Sequence, residues 1–346
     1  MVPGCYTAIV TPFKNNSVDY DGLLKLVDFQ IENRVTGILA VGTTGESPTL
    51  SWEEHKKVIG DITAKTKNKC ISIAGTGSNN TNESVEATEY AAKLGVDAVL
   101  MVDPYYNGPS SLEIRKEYIE PVAVAFPEIE IIPYIIPGRT GSQMLPEDIA
   151  ILNREFKNIT TVKEATGNIE NMRRTRECCG SDFIILSGDD AMVFQMMTDP
   201  DIKAAGVISV VSNIAPGAVT EMVSFLKQGK LKKAEKLHAA LMPLFGLVTV
   251  KTMENTPFGE VECRARNPLG VKTLMSILGM PSGGCRRPMG KMTKAGVEKV
   301  LETAQKIYSS NPEILKPAAD FFDIDIASRL KNPSIIEGLY YESYYL

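Results

Sequence analysis

Ile159-Thr-Thr-Val-Lys-Glu-Ala-Thr166 places a lysine in a run that otherwise has the composition of a buried β-strand. Lysine is among the residues least often buried, and moving its ammonium group out of water lowers its pKa. A neutral lysine amine can attack a carbonyl compound and form an imine. Taken alone, Lys163 is more often a strand-end residue whose amine reaches solvent. The rest of the chain decides between these interpretations.

Runs of strand length alternate eight times with segments of helical periodicity. Most of these runs are continuously apolar, as expected for a parallel sheet covered on both faces. Eight βα units in about 230 residues predict an α/β fold, a closed (β/α)8 TIM barrel, rather than a doubly wound open sheet with its glycine-rich first turn. The strand candidates lie near 5–11, 37–43, 70–76, 97–103, 130–136, 159–165, 183–188 and 206–212.

The chain divides into a catalytic barrel, residues 1–226, and a C-terminal helical region, residues 227–346. In the second region helices are predicted near 230–238, 239–252, 268–279 and 292–308, with no further strand. In the barrel, Ser51-Trp-Glu-Glu and Thr81-Asn-Glu-Ser resemble capping boxes, and Pro146 opens a helix.

The composition is that of a globular chain with a small excess of acidic residues. The formal net charge is -5 and the pI is near 5.4, so no nucleic-acid partner is expected, and Cys285-Arg286-Arg287 is interpreted as a solvated turn. No stretch reaches the roughly 18 apolar residues of a membrane span, and no signal or transit peptide is recognisable. We expect a cytoplasmic protein, or one of the plastid stroma if its source is a plant.

Six cysteines lack CxxC spacing and are interpreted as free thiols. His55 and His238 are the two histidines, and neither has a cluster of metal ligands beside it. We therefore expect neither a metal site nor a Ser-His-Asp triad.

Glycines and hydroxyl residues follow the second predicted strand, at the end of the barrel where active sites form. Gly42-Thr-Thr-Gly-Glu46 offers backbone N–H groups and two hydroxyls that suit a small carboxylate. An ordinary tight turn would have the same composition.

Tyr134 on the fifth strand and Arg139 in the following loop are further candidates. A phenol facing the lysine can move protons between amine, carbonyl and water, and a guanidinium can hold a carboxylate through two hydrogen bonds. The alternatives are a core tyrosine and a surface ion pair. The residues alone predict a barrel that activates a small keto acid through an imine, and they do not identify the second substrate.

Together these motifs resemble the dihydrodipicolinate synthase family, also called 4-hydroxy-tetrahydrodipicolinate synthase, within the pyruvate-dependent class I aldolase superfamily that includes N-acetylneuraminate lyase. The resemblance covers about residues 4–280. Sugar-acid lyases usually lack the Pro-Gly-Arg-Thr sequence. The motifs that carry the resemblance are Gly42-Thr-Thr-Gly-Glu46, Pro104-Tyr-Tyr-Asn107, Tyr134 with Pro137-Gly-Arg-Thr-Gly141, Val162-Lys-Glu-Ala165, Ser187-Gly-Asp-Asp190 and Gly206-Val-Ile-Ser209.

The resemblance implies a lyase that condenses pyruvate with L-aspartate 4-semialdehyde, the first committed step of lysine and diaminopimelate biosynthesis. Lys163 would form the imine, so that no cofactor is needed. Tyr134, Thr44 and Tyr106 would relay protons, with Tyr106 reaching in from a neighbouring subunit. Arg139 would bind the carboxylate of the aldehyde. The full set of implied substrate-binding residues is Thr43, Thr44, Gly45, Arg139, Gly188 and Ile208.

The resemblance also implies a homotetramer, a dimer of dimers, with allosteric inhibition by lysine at a site between subunits. Packing within the first turn of a helix is the alternative role for Trp52 and His55. The positions that match the lysine site are Ser47, Trp52, His55, Asn79, Glu83 and Tyr105.

The chain departs from the family pattern at Ile135, where an asparagine is usual. The segment Thr252–Arg266 has the character of an insertion, and the tail after about residue 281 is longer than in many members. Two other functions fit the motifs. One is a related aldolase or dehydratase acting on a sugar acid or a hydroxy acid, and the other is a non-catalytic lysine-binding sensor.

Overall fold

Eight parallel strands form a closed barrel in the computed structural model, which describes residues 1–344. Each strand pairs with its neighbour in the chain, and the eighth returns to pair with the first. The predicted TIM barrel is confirmed, and each strand ends before its expected carboxyl boundary because the last expected residues form loops. The strands are Gly4–Ala8 (β1), Gly37–Ala40 (β2), Ile71–Gly75 (β3), Ala98–Val102 (β4), Glu130–Ile135 (β5), Thr161–Glu164 (β6), Ile184–Ser187 (β7) and Gly206–Ser209 (β8).

Helices follow every strand and cover the outside of the barrel. Within residues 1–344, no helix combines the length and apolar character needed to cross a bilayer. The segment after β4 includes a π-helical stretch, Ile114–Ile119. The helices of the barrel are Tyr20–Glu32, Trp52–Thr66, Thr81–Leu94, Ser111–Glu113 continuing to Glu120–Ala125, Pro137–Thr140, Pro146–Glu155, Ile169–Cys179, Val193–Thr198 and Pro216–Lys227.

A helix begins at each of the three predicted positions, but only one of the two expected capping boxes is present. Ser51 and Glu54 form a capping box, and Pro146 begins its helix. The capping box predicted at Thr81 is wrong, because Asn80 is the N-cap and its side chain accepts from the backbone N–H of Asn82. The hydroxyl of Thr81 instead donates to the carbonyl of Glu117.

The predicted C-terminal helices are present, but the region also contains an antiparallel hairpin of Thr249–Thr256 (β9) and Gly259–Arg266 (β10). The expectation of a helix over 239–252 and of no further strand is therefore wrong. The helix ends at Phe245, and the β-branched residues that follow favour extended backbone. The helices of the region are Leu231–Phe245, Leu269–Leu278, Lys294–Ser310, Lys316–Phe322 and Ile326–Lys331.

Side chains on the strands alternate between two buried layers. Val162 points outward into the large core between strands and helices. Tyr134 and Ile208 belong to the smaller core inside the barrel. Lys163 follows Val162 on β6 and therefore faces the barrel interior.

The interpretation of Cys285-Arg286-Arg287 as a solvated turn is wrong for Arg286. Its guanidinium donates to both carboxylate oxygens of Glu54, each at 2.6 Å, and lies over the ring of Phe13. Arg287 is exposed, as expected. The C-terminal region is thus fastened to the second helix of the barrel by a two-point ion pair.

Candidate active site

Lys163 lies inside the barrel beside Tyr134, its partner in the register of β5 and β6. The lysine is 5% exposed, and its Nζ lies 4.1 Å from the centroid of the Tyr134 ring. Burial lowers the pKa of Lys163 to about 7, and the Asp190 carboxylate opposes this effect while Arg139 adds to it. A large fraction of the amine is therefore neutral near pH 7 and available as a nucleophile.

Tyr134 is a proton donor rather than a phenolate at neutral pH. Burial raises its pKa to about 12, while the neighbouring Arg139 and Thr43 act in the opposite direction. The phenol therefore keeps its proton until a reacting amine or oxygen takes it.

Gly188 leaves the room that the side chain of Lys163 occupies. A Cβ atom at this position would lie 3.2 Å from Cε of Lys163 and 2.8 Å from Cβ of Ala165. Its backbone N–H donates to the carbonyl of Glu164 at 2.7 Å, which ties the end of β7 to β6. The glycine thus brings the two strand ends together beside the amine.

The Gly42–Glu46 loop is fixed by residues far away in the sequence. Asn267 donates from Nδ2 to Oγ1 of Thr44 at 3.0 Å, and the hydroxyl of Thr11 donates to the carbonyl of Gly45 at 2.7 Å. Glu46 has a left-handed backbone with φ of 56° and pairs with Lys272 at 2.6 Å. Because Thr44 accepts from Asn267, its own hydroxyl hydrogen is free to point toward another acceptor.

Arg139 extends from the short helix Pro137–Thr140 over the end of the barrel. Its Nη2 donates to the carbonyl of Asn267 at 3.3 Å. Burial lowers its pKa, an effect strengthened by Arg266 and Arg264 and opposed by Tyr134. None of the ion pairs among residues 1–344 involves Arg139, so this guanidinium is available for a ligand carboxylate.

These groups line one cavity of about 180 Å³. Gly45 and Ile208, also expected at the site, do not line it; Gly45 contributes its carbonyl to the loop contact with Thr11, and Ile208 packs in the barrel core. Among the expected residues, those that line the cavity are Thr43, Thr44, Tyr134, Arg139, Lys163 and Gly188.

Asp190, Arg266 and Asn267 line the same cavity, although their residue types had predicted no role for them. Asp190 accepts from the hydroxyl of Ser209 and from the backbone N–H groups of Val210 and Val211. Burial raises its pKa to about 6, so most of this carboxylate is charged at pH 7 and counteracts the lowered pKa of Lys163. Asp190 lies three residues after β7, at the end of the barrel where active sites form, and this position was the sequence signal for it.

Tyr106 does not reach the cavity of its own chain. Its side chain is 93% exposed, and its backbone has a φ of 86° in the loop after β4. Its expected role in a neighbouring subunit's site stays a prediction.

A second cavity of about 400 Å³ adjoins the first and shares Thr43, Tyr134 and Arg139 with it. Burial lowers the pKa of His55 to about 4, so its ring is neutral, and its Nε2 lies 3.0 Å from the hydroxyl of Ser47. Of the expected lysine-binding positions, this cavity is lined by Ser47, Trp52, His55, Glu83 and Tyr105.

The sixth position, Asn79, supports the wall of this cavity. Its Oδ1 accepts from the backbone N–H of Tyr105 at 2.7 Å. Trp52 and His55 also pack edge to face, with ring centroids 5.3 Å apart. Helix packing and a place in the cavity wall therefore coexist at these two residues. Among residues 1–344, no group of three or more His, Cys, Asp and Glu side chains is arranged to hold a metal ion.

Residues 1–307 match the model of the Dihydrodipicolinate synthetase family. The 4-hydroxy-tetrahydrodipicolinate synthase of Methanococcus maripaludis (strain C6) is 41% identical over 297 residues, which are 86% of this chain and 96% of that protein. DHDPS from Cyanidioschyzon merolae, solved with lysine bound, has a TM-score of 0.80 at 33% identity and covers 88% of this chain and 98% of its own. The chloride inhibited dihydrodipicolinate synthase from Acinetobacter baumannii, complexed with pyruvate, has a TM-score of 0.80 at 33% identity over 89% of this chain and 99% of its own.

Proposed function

Because this chain belongs to the dihydrodipicolinate synthetase family and is an enzyme of the lyase class, we propose that it condenses pyruvate with L-aspartate 4-semialdehyde. The product is 4-hydroxy-tetrahydrodipicolinate, a precursor of diaminopimelate and lysine. The observation that carries the proposal is the buried amine of Lys163, with a pKa near 7, set against the ring of Tyr134.

The reaction begins when the neutral Nζ of Lys163 attacks the carbonyl carbon of pyruvate. Loss of one water gives the imine, and Tyr134 is placed to donate the proton that the leaving hydroxyl needs. The carboxylate of pyruvate lies against the hydroxyls of Thr43 and Thr44, which line the cavity beside the amine. No cofactor is required, because the protonated imine itself withdraws electrons.

The imine makes the methyl carbon acidic, and loss of a proton gives an enamine. The enamine carbon attacks the aldehyde carbon, whose oxygen takes a proton and becomes the 4-hydroxyl group. The amino group of the second substrate then attacks the imine carbon and displaces Lys163. One water leaves over the whole reaction, and the lysine returns as a free amine.

Arg139 binds the carboxylate of the aldehyde. The guanidinium lines the same cavity as Lys163 and has no ion-pair partner within residues 1–344. A charge-assisted, two-point contact there would orient the aldehyde toward the enamine.

Lysine binds as an allosteric inhibitor in the second cavity. Glu83 offers a carboxylate for an ammonium group, and Trp52 and Tyr105 offer apolar surface for the side-chain carbons. The cavity shares Tyr134 and Arg139 with the catalytic one, so an occupant can influence both. Isothermal titration checks this assignment, and absence of binding at millimolar lysine would dispose of it.

The functional assembly is a homotetramer, a dimer of dimers, in which Tyr106 completes the proton relay of a neighbouring subunit. The almost fully exposed phenol supports this role, because this aromatic side chain, on a loop with left-handed backbone, is left unpacked by the other residues of 1–344. Sedimentation of wild type and a Tyr106→Phe variant measures their assembly. Their turnover rates measure the effect on the proton relay.

Borohydride reduction in the presence of pyruvate tests the proposed chemistry. The intact protein should gain the mass of one reduced pyruvate adduct, located on Lys163 by peptide mapping, and Lys163→Met should gain none. Turnover is then compared with aspartate semialdehyde, sialic acid and ketodeoxy-sugar acids. An unmodified lysine in an active enzyme would refute the imine, and turnover of a sugar acid alone would refute the assigned substrate.

A further inference from the structure

The base of the β9–β10 hairpin, the end away from its turn, lies at the catalytic cavity. Thr249 and Arg266 are a cross-strand pair at that base, and both line the cavity. The opposite end is far from it, and Phe258 at the tip is 98% exposed. The inserted segment therefore contributes to the active site through its last residue.

Contacts on both sides hold the base of the hairpin in place. The backbone N–H of Asn267 donates to the carbonyl of Val248 at 2.8 Å. On the outer side, Nζ of Lys299 donates to the carbonyl of Lys251 at 3.3 Å. The position of Arg266 thus follows from packing of the hairpin on the helix Lys294–Ser310.

Arg266 is bound to the same turn that carries Arg139. Its Nη1 donates to the carbonyl of Gly138 at 3.0 Å. A guanidinium has five N–H donors, so this bond leaves four for other acceptors. Because Gly138 precedes Arg139 in the chain, this bond brings the two guanidinium groups to the same turn.

The positive charges at this end of the cavity are not neutralised by the carboxylates that face them. Asp190 is occupied by Ser209 and by two backbone N–H groups of the β8 loop. Asp189 accepts from the backbone N–H of Ala191. No ion pair among residues 1–344 involves Arg139 or Arg266. Two guanidinium groups without counterions beside a small cavity fit an anionic ligand.

We propose that Arg266, supplied by the inserted hairpin, is a second binding residue for the carboxylate of the aldehyde substrate and acts beside Arg139. This inference rests on the proposed function. It makes the hairpin a specificity element that favours an aldehyde with a carboxylate over a neutral sugar-like aldehyde.

Steady-state kinetics at saturating pyruvate tests the role of Arg266, with the aldehyde as the varied substrate. The variants are Arg266→Lys, Arg266→Gln and Arg266→Glu. We expect KM for the aldehyde to rise in that order, by about tenfold for the glutamine variant. Because the contact is made in ground state and transition state alike, kcat should stay near the wild-type value.

Arg264 provides the matched control, because it lies two residues earlier on the same face of β10 and is exposed. Arg264→Gln and Arg264→Glu make the same changes in charge but should raise KM clearly less than the corresponding Arg266 variants, because Arg264 does not line the cavity and lies roughly 7 Å further along the strand.

Two outcomes would overturn the inference. Equal effects of Arg266→Gln and Arg266→Glu would mean that Arg266 acts only through its bond to Gly138. An equal rise of KM in the Arg264 variants would mean that positive charge on the hairpin attracts the aldehyde through its long-range electrostatic field, without a direct contact from Arg266. Borohydride trapping with pyruvate is run in parallel on every variant. If the wild-type protein formed no pyruvate adduct, the proposed function itself would be refuted, whatever the KM values of the variants.

Discussion

Gly188 lies against the aliphatic part of Lys163, so that a methyl group on its Cα would come within 3.2 Å of the lysine Cε. We predict that Gly188→Ala slows imine formation with pyruvate by at least about tenfold. The added carbon would also meet Cβ of Ala165 at 2.8 Å, and overpacking of this kind costs about 1–3 kcal/mol of stability. Borohydride trapping rates and thermal melts measure the two effects.

Gly246→Ala is the matched control for that variant. A Cβ atom at Gly246 meets no atom within 4 Å, and the residue lies outside the cavity. If Gly188→Ala were trapped at the wild-type rate, the reactivity of Lys163 would not depend on the space that Gly188 leaves beside it.

The rate of pyruvate trapping should rise with pH through about 7. Only the neutral amine attacks the carbonyl, and the folded-state pKa of Lys163 is about 7. Arg139→Ala removes a positive charge that lowers this pKa, so its curve should move to higher pH. Arg139→Lys keeps the charge and should leave the curve in place. A profile governed by an amine of ordinary pKa near 10.5 would contradict the burial argument.

Lys163→Met should make the protein more stable while abolishing the imine. The pKa of this lysine falls from 10.5 to about 7 on folding, so between these pH values it binds fewer protons in the native state than in the unfolded state. Its contribution to the free energy of unfolding therefore becomes less favourable as pH falls. The gain from methionine should therefore be about 2–3 kcal/mol larger at pH 6 than at pH 9. Urea unfolding of both proteins at the two pH values measures the difference, and a gain independent of pH would exclude an ionisation effect.

Local sequence patterns predicted the barrel because its strands and helices have strong periodicity. Ile184–Ser187 and Gly206–Ser209, for example, are short and largely apolar, and each is followed within a few residues by polar ones. The hairpin was missed because one face of its strands is exposed and the other, apart from Val250, is only partly buried, and because its two-residue turn is Pro257-Phe258 rather than a glycine turn. Hydrophobic periodicity in a sequence reflects burial, and little of this hairpin is buried.

The cavity residues were predictable where they lie in the last residues of a strand, as Lys163 does, or in the loop that follows it, as Thr43 does. Asn267 and Arg266 were not, because their contacts with Thr44 and Gly138 join positions 223 and 128 residues apart in the chain. No local pattern specifies such pairs. Position at the carboxyl end of a barrel strand marks the catalytic groups. The residues that orient or supplement them are placed by packing of the C-terminal region.

Lys272 and Glu46 form an ion pair at 2.6 Å in which both side chains are completely buried. The lysine also donates to the carbonyl of Thr11, and the second carboxylate oxygen accepts from the backbone N–H of Arg286. We predict that Lys272→Met destabilises the fold by about 3–5 kcal/mol, because it leaves the carboxylate buried without its partner. The KM for pyruvate should rise as well, since Glu46 ends the loop that carries Thr43 and Thr44.

The double variant Lys272→Met with Glu46→Gln removes both charges together. It should lose less stability than the sum of the two single variants, because neither single replacement leaves the other charge with a partner. Lys57→Met is the control, since Lys57 pairs with Asp61 at the surface and such pairs contribute about 1 kcal/mol or less. Urea unfolding of the four proteins completes the cycle. Additive losses would show that the two side chains are energetically independent, and the C-terminal region would then not hold the catalytic loop through this pair.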